Sequence, residues 1–197
     1  LSPLSIRKAM NPNGSAGDIL PTGEIGEVCF TGPQVFKGYY ANPEATKKAI
    51  SSDNVLYTGD LGYLDEKGYL HLTGRGKFVI KPKGYQVFPP QIEEYILKLP
   101  EIANAAIVGH RHEEHSEGVV AFIELKKGRT ITKERIEEHC KGLAAYMRPS
   151  LVIFMDEIPL NRVDKTDYQA LLAIVGKYVD EERQKGGWDA KILAKIQ

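Results

Sequence analysis

Gly74-Arg75-Gly76-Lys77-Phe78-Val79-Ile80-Lys81-Pro82-Lys83-Gly84-Tyr85-Gln86-Val87-Phe88-Pro89-Pro90-Gln91-Ile92-Glu93 is the stretch on which the reading of this chain turns. Four cations (Arg75, Lys77, Lys81, Lys83) stand among three glycines and the apolar Val79, Ile80 and Tyr85. Read alone, the run is either a basic hairpin or a loop offering cations and backbone N–H groups to phosphate. The spacing predicts a strand over Lys77–Lys81. Pro89-Pro90 then starts a helix with Ile92, Tyr95, Ile96 and Leu99 on one face. Two glycines flank Arg75, so a swivel and a domain boundary are expected near Arg75–Lys77.

Working upstream, residues 11–23 (NPNGSAGDILPTG) are turn-rich and Glu27–Phe30 reads as a short strand. Asn42-Pro43-Glu44 opens a short helix through Ile50, with Asn42 as its cap. Leu61–Leu64 and Tyr69–Thr73 form a hairpin around Asp65-Glu66-Lys67-Gly68. This third is mostly β and lacks the helices that would cover it, so it reads as the edge of something larger. Downstream, Ala103–Val108, Gly118–Leu125 and Leu151–Met155 are β-like. Thr132 caps a helix bearing Ile136, Cys140 and Leu143, and Tyr168–Val179 is a last helix before a charged tail from about residue 180. That order, strand–helix–strand–strand–helix–strand–helix, predicts a small α+β domain.

Bulk properties narrow the function. The 197 residues carry 26 Lys+Arg and 26 Asp+Glu, a formal net charge of zero. This balance argues against nucleic acid or an anionic membrane as a general partner. No apolar run is long enough to cross a bilayer. Cys29 and Cys140 lack metal-ligand spacing and read as two reduced thiols. His110, His112 and His115, among Arg111, Glu113 and Glu114, read as a solvated loop rather than a metal site. The start, Leu1-Ser2-Pro3-Leu4, is neither an initiator Met nor a signal peptide; the missing Met fits a piece of a longer polypeptide and equally fits processing.

Two more segments invite chemistry. In Tyr57-Thr58-Gly59-Asp60-Leu61-Gly62, Asp60 is either a turn residue or a carboxylate accepting hydrogen bonds from a vicinal diol, with Gly59 permitting close approach. In Ile158-Pro159-Leu160-Asn161-Arg162-Val163-Asp164-Lys165-Thr166-Asp167-Tyr168, Lys165 is either a solvated turn lysine or a presented cation.

Taken in order, GEIGEVCFTGPQVFKGYYANPEAT, YTGDLGYLDEKGYLHLTGRGK, IKPKGYQVFPPQIEE and IPLNRVDKTDY resemble the adenylate-forming superfamily of acyl-CoA synthetases, peptide-synthetase adenylation domains and luciferases. Within it they look most like 4-coumarate–CoA ligases and fatty acyl-CoA ligases. The resemblance covers Gly23 to about Leu172. It implies that residues 1–76 are the β-rich C-terminal part of a large AMP-binding domain, in a distorted β-barrel subdomain. Residues 77–197 would then be an α+β lid with a central antiparallel-type sheet flanked by helices. The implied reaction joins a small carboxylic acid to coenzyme A at the expense of ATP, through an acyl-adenylate.

By the same resemblance Asp60 and Arg75 hold the ribose, Lys77 is the hinge, and Lys165 reaches the ribose and α-phosphate during adenylation. Lys81 and Gln86 lie near the adenylate once the lid has turned, and Lys83, Gly84 and Tyr85 form the coenzyme A loop. The cofactors implied are ATP/AMP, coenzyme A and Mg2+, the last bound mainly through ATP and the upstream domain. That upstream domain is the implied partner, since the Ser/Thr/Gly-rich phosphate loop and the acyl pocket are not in this sequence. The chain alone is therefore expected to be inactive.

Two departures stand out. Relatives usually carry Gly where this chain has Asp164, and a carboxylate able to pair with Lys165 would oppose its contact with phosphate. The stretch His110–His115 replaces a Pro-Asp-rich segment that faces solvent in relatives. Loading of a carrier protein, luciferase-like chemistry and a non-catalytic interaction module are the rival readings. Tyr85-Gln86-Val87-Phe88-Pro89 favours free coenzyme A over a carrier. A cytoplasmic location is expected; Lys195-Ile196-Gln197 is not a Ser-Lys-Leu-type peroxisomal address.

Overall fold

A computed structural model describes residues 3–112 and 116–185. The chain divides into two compact units, Leu1–Lys77 and Phe78–Gln197, and its class is α+β.

The first unit is a four-stranded antiparallel sheet of β1 (Leu4–Arg7), β2 (Gly26–Phe30), β3 (Leu56–Leu64) and β4 (Leu70–Arg75), in that spatial order. The β3–β4 turn is set by Asp65, whose Oδ1 accepts from the Lys67 and Tyr69 N–H groups at 2.9 Å each. Gly68 closes that turn at φ +82°, a left-handed conformation a side chain would disfavour. The predicted short helix is α1 (Pro43–Ala49), with Asn42 Oδ1 accepting from Ala45 N at 3.0 Å. The core here is small: Cys29, Val55 and Tyr57, with Met10 and Ala16 against them. The Tyr57 hydroxyl accepts from Gly17 N at 2.7 Å and so ties the turn-rich segment to β3.

The second unit contains α2 (Pro89–Ile96), β5 (Ile102–His112), β6 (Ser116–Leu125), α3 (Lys133–Cys140), β7 (Leu151–Met155) and α4 (Tyr168–Gln184). β5 pairs antiparallel with β6, and β7 lies parallel to β6. The strands are apolar on both faces because both are covered. Ile107, Ala121, Ile123 and Val152 point to a core shared with Ile92, Ile96, Ile136 and Cys140 of α2 and α3. Their neighbours Ala106, Val108, Val120, Phe122 and Ile153 pack on Leu171, Val175 and Val179 of α4. Burying one such Ile or Leu contributes roughly 1.5–3 kcal/mol relative to exposure. Asp167 Oδ1 caps α4 through the Gln169 and Ala170 N–H groups, 3.0 Å each.

Three expectations are corrected. Lys77–Lys81 is not a strand: Gly76–Phe78 is a 3-10 turn, and only Ile80 makes a β-bridge, to Val87. Pro82 has no N–H to extend that ladder. The histidine-rich stretch is not simply a solvated loop, because β5 runs through His110 to His112 and the latter is buried. Residues 113–115 lie outside the described residues. The charged segment from 180 begins as helix, since α4 continues to Gln184, and residues 186–197 lie outside the described residues. Finally, β1, unforeseen in the sequence, edges the first sheet.

Candidate functional site

In the first unit, Asp60 and Arg75 face each other across β3 and β4 as directly paired residues. Arg75 donates from Nε to Asp60 Oδ1 at 2.8 Å and from Nη2 to the Thr58 carbonyl at 3.2 Å. The Asp60 side chain keeps 40% and the Arg75 side chain 53% of their accessible surface, so one carboxylate edge is oriented while the group stays open to a ligand. At half-exposed sites such a pair contributes little to stability. Gly59, at φ +78°, turns the strand so that its N–H reaches Glu27 Oε1 at 2.8 Å. Burial raises the Glu27 pKa, the Gly59 N–H opposes that rise, and the Asp60 charge adds to it. Thr58 completes the frame, its hydroxyl donating to the Val28 carbonyl at 2.8 Å and accepting from Asp60 N at 3.1 Å.

In the second unit, Lys81, Lys83, Gly84, Tyr85 and Gln86 share one exposed loop. Its base is the antiparallel bridge of Ile80 and Val87, with both backbone hydrogen bonds made. At its tip Lys83 (φ +51°) and Gly84 (φ +85°) are both left-handed, which reverses the chain within three residues. Tyr85 lies flat on Tyr146, with centroids 4.3 Å apart and planes 8° apart. The Lys81 N–H donates to Glu117 Oε2 of β6. Lys77 is exposed within the 3-10 turn Gly76–Phe78.

Lys165 lies on a different loop of the same unit. Asn161 organises it: its Oδ1 accepts from Val163 N (2.9 Å) and Lys165 N (3.2 Å), and its N–H donates to the Lys165 carbonyl at 2.7 Å. Asp164 adopts φ +54°, the left-handed conformation that Asp tolerates better than most residues and Gly best of all. Asp164 thus meets a backbone demand that Gly would meet with less strain. Among the described residues it makes no ion pair with Lys165, contrary to the concern raised by the sequence.

Four contributors, Glu93, Tyr168, Glu27 and Tyr146, do not stand out in the sequence. Glu93 Oε1, near the start of α2, accepts from Ile107 N at 2.9 Å and from the Tyr168 hydroxyl at 2.7 Å. The Tyr168 ring, three residues past Lys165, also meets Phe78 at 4.8 Å. Glu27 and Tyr146 frame their loops as described above. Only Glu93 gave any hint, as a carboxylate directly after the core residue Ile92. Among the described residues no group of His, Cys, Asp and Glu is arranged to hold a metal ion. No helix among them is long and apolar enough to cross a membrane.

The family model for the AMP-binding enzyme C-terminal domain matches residues 91–165. This chain belongs to the adenylate-forming superfamily. Among its relatives, 4-coumarate–CoA ligase 2 of Nicotiana tabacum is 38% identical over 161 residues, covering 80% of this chain and 30% of that protein. A putative acyl-CoA ligase of Bacillus subtilis is 42% identical over 156 residues, 79% of this chain and 31% of the relative. The ATP-bound structure of MatB from Rhodopseudomonas palustris superposes with a TM-score of 0.77 at 37% identity, over 87% of this chain and 34% of that one. The chain thus spans about a third of the length of the adenylate-forming enzymes it matches.

Proposed function

We propose that the chain is the adenylate-binding edge and the C-terminal lid of an AMP-forming acid–CoA ligase. The observation that carries this reading is the Asp60–Arg75 pair. It is a half-exposed carboxylate, oriented by a guanidinium and a turned glycine, in a chain of the adenylate-forming superfamily. In the first half-reaction a carboxylate oxygen of the acid attacks the α-phosphorus of ATP. The bond to the bridging oxygen breaks and pyrophosphate leaves. Asp60 accepts hydrogen bonds from the two ribose hydroxyls, and Arg75 holds both Asp60 and the sugar in place. Lys165 offsets the negative charge that builds on the pentacoordinate phosphorus.

In the second half-reaction the coenzyme A sulfur attacks the acyl carbon. AMP departs with the electrons of the broken C–O bond, and the thiol proton passes to solvent. Lys81 and Gln86 then lie by the adenylate, while the Lys83-Gly84-Tyr85 tip borders the pantetheine arm. Two loops on one unit serve the two steps in turn as the unit swings about Lys77. A Mg2+ ion would neutralise phosphate charge, but the described residues present no donor set for it.

The test is Lys165→Ala in the intact polypeptide. ATP–pyrophosphate exchange should fall roughly a hundred- to a thousandfold, the scale for one preorganised electrostatic donor, while thioester formation from supplied acyl-adenylate is largely spared. Equal, small effects on both steps would favour a non-catalytic module instead.

A further inference from the structure

The Lys81–Gln86 loop is anchored at its base, where the Lys81 N–H donates to Glu117 and Pro82 is buried, and is open at its tip. Lys83 through Gln86 are exposed, and no atom lies within 4 Å of the position a Gly84 Cβ would take. Inside the loop, Tyr85 N donates to the Pro82 carbonyl at 3.0 Å, a bond of the tip to itself. Beyond that base, the Tyr85–Tyr146 stack ties the tip to the rest of the unit.

Tyr146 is a rigid support. It lies in the 3-10 turn Ala145–Met147, and the next residue, Met147, packs on the core beneath. Arg148 clamps the turn, donating from Nε to the Leu143 carbonyl (3.0 Å) and from Nη2 to that of Lys141 (2.8 Å). Both rings remain substantially exposed, Tyr85 at 54% and Tyr146 at 38%. A surface stack does little for global stability, but it fixes the ring, and hence the backbone, of a loop with two left-handed residues.

We propose that Tyr146 is a positioning residue for thioester formation: it holds Tyr85, and through it the loop tip, in the conformation that receives the pantetheine arm. This rests on the reading given under Proposed function.

The experiment uses the intact enzyme as wild type, Tyr146→Phe, Tyr146→Ala, Tyr85→Ala and the double alanine variant. Pyrophosphate exchange is first measured with a panel of aromatic, dicarboxylic and fatty acids that includes 4-coumarate and octanoate. The most active acid is then used to measure acyl-CoA formation against CoA concentration. Loss of one aromatic pair predicts that Tyr146→Ala lowers kcat/KM for CoA about two- to tenfold. Exchange and the KM values for ATP and acid should stay at wild-type levels. Tyr146→Phe keeps the stack and should restore the value, and the double variant should be no worse than Tyr85→Ala alone. Wild-type behaviour of Tyr146→Ala, an equal fall in both half-reactions, or additivity with Tyr85→Ala overturns the proposal while leaving the ligase reading intact. No exchange by the wild type with any acid overturns both.

Discussion

At the scale of single residues, Asp164 shows how a side chain can be misread from its charge. Next to Lys165 it reads as an ion-pair partner, yet its φ of +54° makes it a backbone device. Asp164→Gly should therefore keep adenylation within a few-fold of wild type and leave stability nearly unchanged. Asp164→Val should destabilise by about 1–2 kcal/mol, as read from urea denaturation, because Asp tolerates the left-handed region whereas a β-branched side chain bears its full cost. At the same scale Asp60 and Lys165 stand out as candidates in the sequence, because each lies in a contiguous motif whose neighbours fix the local turn. The buried thiols are legible too. Burial, reinforced by Glu27, pushes the Cys29 pKa up to about 12, and burial with Glu137 lifts that of Cys140 to about 11. Both are protonated at neutral pH.

At the scale of elements, Glu93 ties α2 to β5 and to the first residue of α4. Glu93→Ala would leave the Ile107 N–H and the Tyr168 hydroxyl without their acceptor, and should cost about 2–4 kcal/mol in denaturant unfolding. Glu93→Gln keeps an acceptor oxygen for both. Burial, the largest cause, raises the Glu93 pKa above its ordinary 4.5, while the Tyr168 and Ile107 hydrogen bonds oppose that rise. As pH climbs past that value the unfolded chain therefore releases its proton before the folded one, and wild type loses stability until the folded group also ionises. The stability of wild type relative to Glu93→Gln should fall as pH rises above 4.5. Sequence periodicity placed α2 and α3 well because their buried positions repeat every three to four residues. It failed at Lys77–Lys81, where an alternating pattern suggested a strand but the bounding glycines and Pro82 leave one bridge.

At the scale of the whole molecule, the chain covers about 30% of the relatives it matches, and its sequence lacks the phosphate-loop motif. The isolated 197-residue chain should accordingly give no ATP–pyrophosphate exchange with any carboxylic acid; exchange would show that the nucleotide site is complete without further sequence. By itself the sequence determined the α+β class, most element positions and the superfamily, and it marked Asp60, Arg75, Lys81 and Lys165 as candidates, because these depend on short-range periodicity and contiguous motifs. Only the tertiary structure decided that Arg75 orients Asp60, that Tyr146 carries Tyr85, that Glu93 meets Tyr168 and that His112 is buried. Each of these joins residues from separate elements, or depends on how far two strands stay paired. Such relations are set by packing and register, which no local pattern encodes.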